Sequence, residues 1–107
     1  MIEQAYISAA QSGRFCELVD QAGNIRLVEP YMVYRSSLNK RLFHCFQVSG
    51  YSESNQPTGW KNLNVSSFRI GSVTDGTFSQ RADYNPDNSP KFPIIYFALQ
   101  KASGSRV

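Results

Sequence analysis

The sequence predicts a mainly β domain: a small antiparallel barrel or strongly bent sheet, with a short N-terminal helix and an extra C-terminal strand. Three observations support this. Residues 25–34 (IRLVEPYMVY) and 41–48 (RLFHCFQV) are crowded with valine, isoleucine, tyrosine and phenylalanine, side chains that suit a pleated, half-buried surface. In the second stretch Leu42, His44 and Phe46 alternate with Phe43, Cys45 and Gln47, the period of two that marks a strand. Pro30 interrupts the first stretch and cannot donate to a ladder. That strand is therefore expected to bulge, or to lie at an edge, near Glu29 and Pro30, and to bend there.

Taken in order, residues 2–11 suit a short helix with Ile2, Ala5, Tyr6, Ala9 and Ala10 on one face. Glu3 favours its first turn, and Gly13 stops it after Ser12. So short a helix is stable only when packed, and it is expected to cap one opening of a barrel. Residues 14–20 (RFCELVD) form a strand with Phe15, Glu17 and Val19 opposed to Cys16 and Leu18. Residues 21–24 turn the chain, Gly23 and Asn24 both tolerating positive φ, and a hairpin to residue 25 follows. Residues 35–40 are a polar turn and residues 49–59 a polar loop of the kind that can hold a site. Alternation resumes over residues 60–65, breaks at Ser66 and Ser67, and returns as a short strand over residues 68–73. Asp75 and Gly76 read as a turn before Thr77 and Phe78. Residues 81–90 (RADYNPDNSP) are loop, and residues 92–99 (FPIIYFAL) are a further strand. Residues 101–107 are expected to fray.

A chain of 107 residues makes one domain, 1–107, with a modest core. No apolar run approaches the roughly 18–20 residues of a membrane span, and no basic segment precedes an apolar block at the N-terminus. The expectation is a cytoplasmic protein with no membrane partner. Cys16 and Cys45 fall on different strands, and one histidine does not complete a metal knuckle with them. Both are expected buried and reduced, a cross-strand disulfide being the other reading; no metal and no cofactor are expected. Eleven Lys+Arg against eight Asp+Glu give a net charge of +3, compatible with an anionic partner without itself marking nucleic acid.

Hydrolytic catalysis finds little support. His44 is the single histidine, so any Ser–His or Cys–His pair must use it. Its neighbour Cys45 points to the opposite face of the strand. Cys16 could face His44 across the sheet, but no third orienting group is implied. Paired carboxylates and a phosphate-cradling glycine loop are absent, so no catalytic residue is assigned.

With the strands placed, the order of motifs resembles the WYL domain. The stretch Arg26-Leu-Val-Glu-Pro30 is similar to that family's Arg-x-Val-x-Pro strand, and Arg41-Leu-Phe-His-Cys-Phe46 stands where the family has its Trp-Tyr-Leu strand. Residues 61–68 (KNLNVSSF) occupy the place of a basic segment, with Asn64 and Ser67 where the family carries arginines. Gly50-Tyr-Ser-Glu-Ser54 and Gly59-Trp-Lys61 resemble a short standalone branch. The resemblance covers residues 2–78 and leaves residues 79–107 as a C-terminal extension. It implies an Sm-like, SH3-like barrel and a ligand sensor for nucleic acid or nucleotide-like molecules, with no room here for a helix-turn-helix.

The binding residues read from charge and aromaticity agree with that implication. Arg26 and Lys61 fall on strands, where fixed geometry serves recognition of phosphate or carboxylate. Arg41 clusters with Arg35 and Lys40 around one turn, which could equally be a solvated hairpin tip. Arg26 and Glu29 could equally be an ion pair. Tyr51 and Trp60 are candidate stacking surfaces for bases, although seven Phe and one Trp must also supply a core. The indole of Trp60 is expected to be half buried, its N–H satisfied by the preceding loop. The expected function is non-catalytic binding of an anion such as a nucleotide or single-stranded nucleic acid, in transcriptional or stress regulation. The alternative is a protein-interaction or oligomerisation module. Its uncharged strand over residues 92–99 would close the sheet or pair with a protein partner or in a homodimer.

Overall fold

In the computed structural model, which describes residues 2–88 and 90–101, one helix lies against a six-stranded antiparallel sheet. Helix α1 spans Ile2–Gln11. Tyr6, Ala9 and Ala10 are buried and Ala5 is half-buried, so the expected face is the packed one; the side chain of Ile2 lies outside the described ones. Gly13 ends the helix at φ +66, its N–H donating to the Ala10 carbonyl at 3.0 Å, a backbone conformation that favours glycine.

The strands are β1 Arg14–Asp20, β2 Ile25–Arg35, β3 Arg41–Gly50, β4 Gly59–Asn64, β5 Phe68–Thr77 and β6 Ile94–Ala98, with a 3-10 turn at Val65–Ser67. They pair in the order β4-β3-β2-β1-β5, and β6 joins β2 off that path. The described residues form one open antiparallel sheet: β4 and β5 end the path and do not pair with each other, so no barrel closes. Helix α1 therefore covers a face made by β1, β2 and β5 and does not cap a barrel mouth.

β2 organises the sheet because it serves three neighbours. One edge pairs with β3 throughout, from Arg26↔Gly50 to Arg35↔Arg41. The other edge is divided: β1 takes Ile25 to Val28, and β6 takes Met32 to Arg35. Between them lies the irregularity expected at Pro30, where the register slips between Pro30 and Met32 and Tyr31 becomes the extra residue. The Tyr6 hydroxyl enters this gap, donating to the His44 carbonyl at 2.6 Å and accepting from the Tyr31 N–H at 3.2 Å. The Tyr31 carbonyl accepts from the Leu99 N–H at 3.0 Å. The backbone groups freed by the bulge thus find partners, and each would otherwise cost about 1–3 kcal/mol.

Each face of the sheet carries a buried cluster. Under α1, Tyr6 and Ala9 pack with Cys16, Leu18, Val28, Val33, Phe43 and Cys45. The opposite face packs Tyr31, Met32 and Tyr34 against Tyr84 and Phe92, supplied by the C-terminal extension. Both thiols are free and buried, as expected, and burial pushes Cys16 up to about 12.

Three expectations are corrected. Asp75 and Gly76 do not turn the chain: β5 runs on to Thr77, which pairs with Arg14, and two register shifts against β1 absorb the extra residues as bulges. Val65 opens the 3-10 turn instead of ending β4, because the Asn64 side chain caps it by accepting from the Ser66 N–H at 3.0 Å. Phe92 and Pro93 stay out of β6: the Phe92 N–H is used by the Asn88 carbonyl at 2.9 Å, and Pro93 has no N–H to give. Residues 102–107, expected to fray, lie outside the described residues. No helix among the described residues is long and apolar enough to cross a membrane.

Candidate anion-binding site

Arg26 is the side chain that does not follow the usual rules of burial. It stands on β2 opposite Leu18 of β1 and Gly50 of β3, between two paired strands, and only 7% of it is exposed. Nη1 donates to Gln47 Oε1 at 3.1 Å. The guanidinium carbon lies 5.6 Å from the ring centres of both Tyr51 and Phe68. Nε is buried and has no hydrogen-bond partner, and among the described residues no carboxylate forms an ion pair with it. The ion pair with Glu29 that the sequence allowed is not formed, since Glu29 is engaged by Arg81.

Desolvating a guanidinium costs several kcal/mol. A hydrogen bond to a neutral amide returns about 1.5–3 kcal/mol, and cation–π contacts return about 0.5–2 kcal/mol each. Among the described residues no carboxylate closes an ion pair with it. Asp20, whose carboxyl Arg26 helps to lower, acts from beyond ion-pair distance, so the guanidinium lacks a direct counter-charge. With Nη1 held by Gln47, Nε and Nη2 are the remaining donors, an edge whose geometry suits a two-oxygen group such as phosphate or carboxylate, with Nε itself buried among its neighbours.

The backbone around Arg26 explains how the site is built. Gly50 adopts φ +107, and a Cβ there would lie 2.4 Å from the Ile25 carbonyl oxygen and 2.9 Å from the Arg26 Cα. Only glycine lets the chain leave β3 this close to β2. The next residue, Tyr51, donates its N–H to the Ile25 carbonyl at 3.0 Å, and its own carbonyl accepts from Gln47 Nε2 at 2.8 Å. Gln47, fully buried, thus ties the arginine to the loop.

Of the residues singled out from sequence, the structure brings Arg26 and Tyr51 together. Lys61 is on β4 opposite Cys45. Residues directly opposite each other in paired strands point to the same face, so Lys61 shares the face of Cys45 and Gln47. The Lys61 ammonium holds the loop by donating to the Gln56 carbonyl at 2.7 Å. Arg41 does not join them: it pairs with Arg35 at the far end of the hairpin, bonds Glu3 at 2.7 Å and lies 4.4 Å from the Tyr96 ring centre. Trp60 belongs to the opposite face, and its indole N–H donates to Asp83 at 2.9 Å, a different loop from the one expected. Sequence reasoning passed over Gln47, Gly50 and Phe68. Gln47 did carry a signal, because a polar residue in phase with Phe43 and Cys45 must find a buried partner.

His44 sits on that opposite face, away from both thiols, so no Cys–His pair forms. Burial lowers its pKa from 6.5 to about 4, and the nearby Lys91 acts in the same direction. The unfolded chain therefore takes up a proton near pH 6.5 that the folded protein refuses until about pH 4. This contribution to stability is complete above pH 6.5 and is lost as the pH falls toward 4, a decline of about 3 kcal/mol. Urea unfolding at pH 7 and pH 4.5 should show it, and His44→Phe should flatten the slope. An equal slope in the two proteins would remove His44 as its source.

Compared with known proteins, the chain matches no family model, no curated protein and no solved structure.

Proposed function

We propose that the chain is a non-catalytic binding domain, a WYL-like module, in which Arg26 receives an anionic ligand. A nucleotide or single-stranded nucleic acid is the ligand class, and the setting is cytoplasmic regulation. The observation that carries this reading is the buried guanidinium with an unused Nε and no ion pair among the described residues. Tyr51 supports the nucleotide class: its ring flanks the guanidinium and is 39% exposed, leaving surface for a base to stack while phosphate meets Arg26. Lys61 adds positive potential from β4, two strands away.

Fluorescence anisotropy with labelled single-stranded DNA and RNA, at low and moderate salt and with mononucleotides as competitors, tests it. Saturable binding that weakens steeply with salt is expected. Arg26→Met should weaken it at least about tenfold, Lys61→Met less, and Arg41→Met should leave it unchanged. No binding at roughly tens of micromolar protein, or equal binding by Arg26→Met, would overturn the assignment.

A second reading rests on β6. It has one strand partner among the described residues, and Ile94, Ile95 and Tyr96 are 41–47% exposed, as in an edge that accepts another chain. Assembly through these residues would be insensitive to salt, which separates it from anion binding.

A further inference from the structure

A chemically different recess opens on the face of the sheet opposite α1. His44, Trp60 and Phe92 form its aromatic wall, and Asp83, Asn88 and Lys91 its polar rim, around about 210 Å³. The His44 and Trp60 rings lie parallel, 4.8 Å apart at 5°, and Phe92 crosses the imidazole at 4.9 Å and 58°. These contacts lock the plane of the imidazole. Nδ1 sits 2.8 Å from Asn62 Oδ1, an oxygen that also accepts from the Tyr34 hydroxyl at 3.0 Å. An amide oxygen only accepts, so Nδ1 carries the hydrogen, and the neutral ring keeps a lone pair on Nε2. Among the described residues no hydrogen bond uses Nε2, and His44 lines the recess.

We propose that this recess binds a small planar ring carrying an N–H beside a carbonyl, a cyclic lactam or imide such as uracil. The ring N–H donates to His44 Nε2, and the adjacent carbonyl accepts from the Lys91 ammonium. An acceptor and a donor that line one small recess select a ligand that carries a donor and an acceptor together. A carboxylate satisfies Lys91 but turns an oxygen lone pair on that of Nε2, and a cation is repelled by Lys91. Asp83 is partly engaged, with one oxygen accepting from the Trp60 indole, so it completes the rim without making the recess anionic. The volume lies below the roughly 300–1,000 Å³ of drug-sized sites and suits a single ring. The proposal does not depend on the Arg26 site, which lies on the other face.

The test follows the His44 Nε2 resonance in ¹⁵N-labelled protein during titration with uracil, with 1,3-dimethyluracil, which lacks the N–H, as the control. A saturable Nε2 shift with uracil and none with the dimethyl compound is expected. Lys91→Met should weaken uracil binding about tenfold. Arg26→Met should leave it unchanged, which keeps this result independent of the anion site. His44→Phe preserves the stack on Trp60 and should abolish binding. No Nε2 response up to about 10 mM uracil, or an equal response to the dimethyl compound, would overturn the proposal.

Discussion

Arg81→Ala should destabilise the domain by about 3 kcal/mol, the low end of the range for stripping a buried charge of its partner. Arg81 reaches back from the segment after β5 to Glu29 on β2 with two parallel bonds, Nε to Oε1 at 3.0 Å and Nη2 to Oε2 at 2.9 Å. The Tyr31 hydroxyl donates to the same Oε1 at 3.2 Å and accepts from the Arg81 N–H at 2.9 Å. The guanidinium also lies 3.4 Å from the Phe46 ring centre. The partners are unequally buried: the Glu29 side chain is 5% exposed and that of Arg81 38%. Water already screens part of the arginine, hence the lower figure, but among the described residues the buried glutamate keeps only the Tyr31 hydroxyl once the arginine is gone. In a domain of this size such a loss corresponds to a melting point lower by about 12–24 °C. Urea unfolding gives the free energy directly. Glu29→Gln combined with Arg81→Met should recover part of it, because no charge is then stranded. A loss below about 1 kcal/mol for Arg81→Ala would place the pair among exposed, energetically minor bridges.

That network shows where the sequence is informative and where it is not. Features set by neighbours in the chain were legible: the α1 face carrying Tyr6, Ala9 and Ala10, the stop at Gly13, the alternation of β3, and the bulge that Pro30 imposes on β2. Features set by distant partners were not. Tyr84 lies in a stretch of Asn, Asp and Pro that reads as loop, yet it is fully buried and its hydroxyl donates to the Leu99 carbonyl at 2.8 Å. Local composition cannot reveal that a loop folds back over a sheet face and completes a second core. The same limit divided the candidate residues. Arg26 and Tyr51 meet because Gly50 brings the ends of β2 and β3 together. Arg41 is diverted to Glu3 of the helix, and Trp60 to a loop 23 residues away.

Gly50→Val should cost at least about 3 kcal/mol and also abolish anion binding, which makes it the sharpest link between fold and site. Two penalties combine. A β-branched residue at φ +107 is strained by about 1–3 kcal/mol, and its Cβ would overlap the Ile25 carbonyl oxygen at 2.4 Å, a backbone atom that no rotamer change can move. Relief requires β2 and β3 to separate where Gly50 pairs with Arg26. That separation breaks the Tyr51 N–H bond to Ile25 and withdraws the Tyr51 ring from the guanidinium. Gly50→Ala should cost less but in the same direction, since the overlap begins at Cβ. Thermal unfolding of both variants, with anisotropy titrations below their melting points, separates the effects. If Gly50→Ala stays folded and loses binding, the seat of Arg26 depends on the close approach of the two strands. If it binds as the parent does, Arg26 is held by Gln47 and Phe68 alone, and Tyr51 has no part in the site.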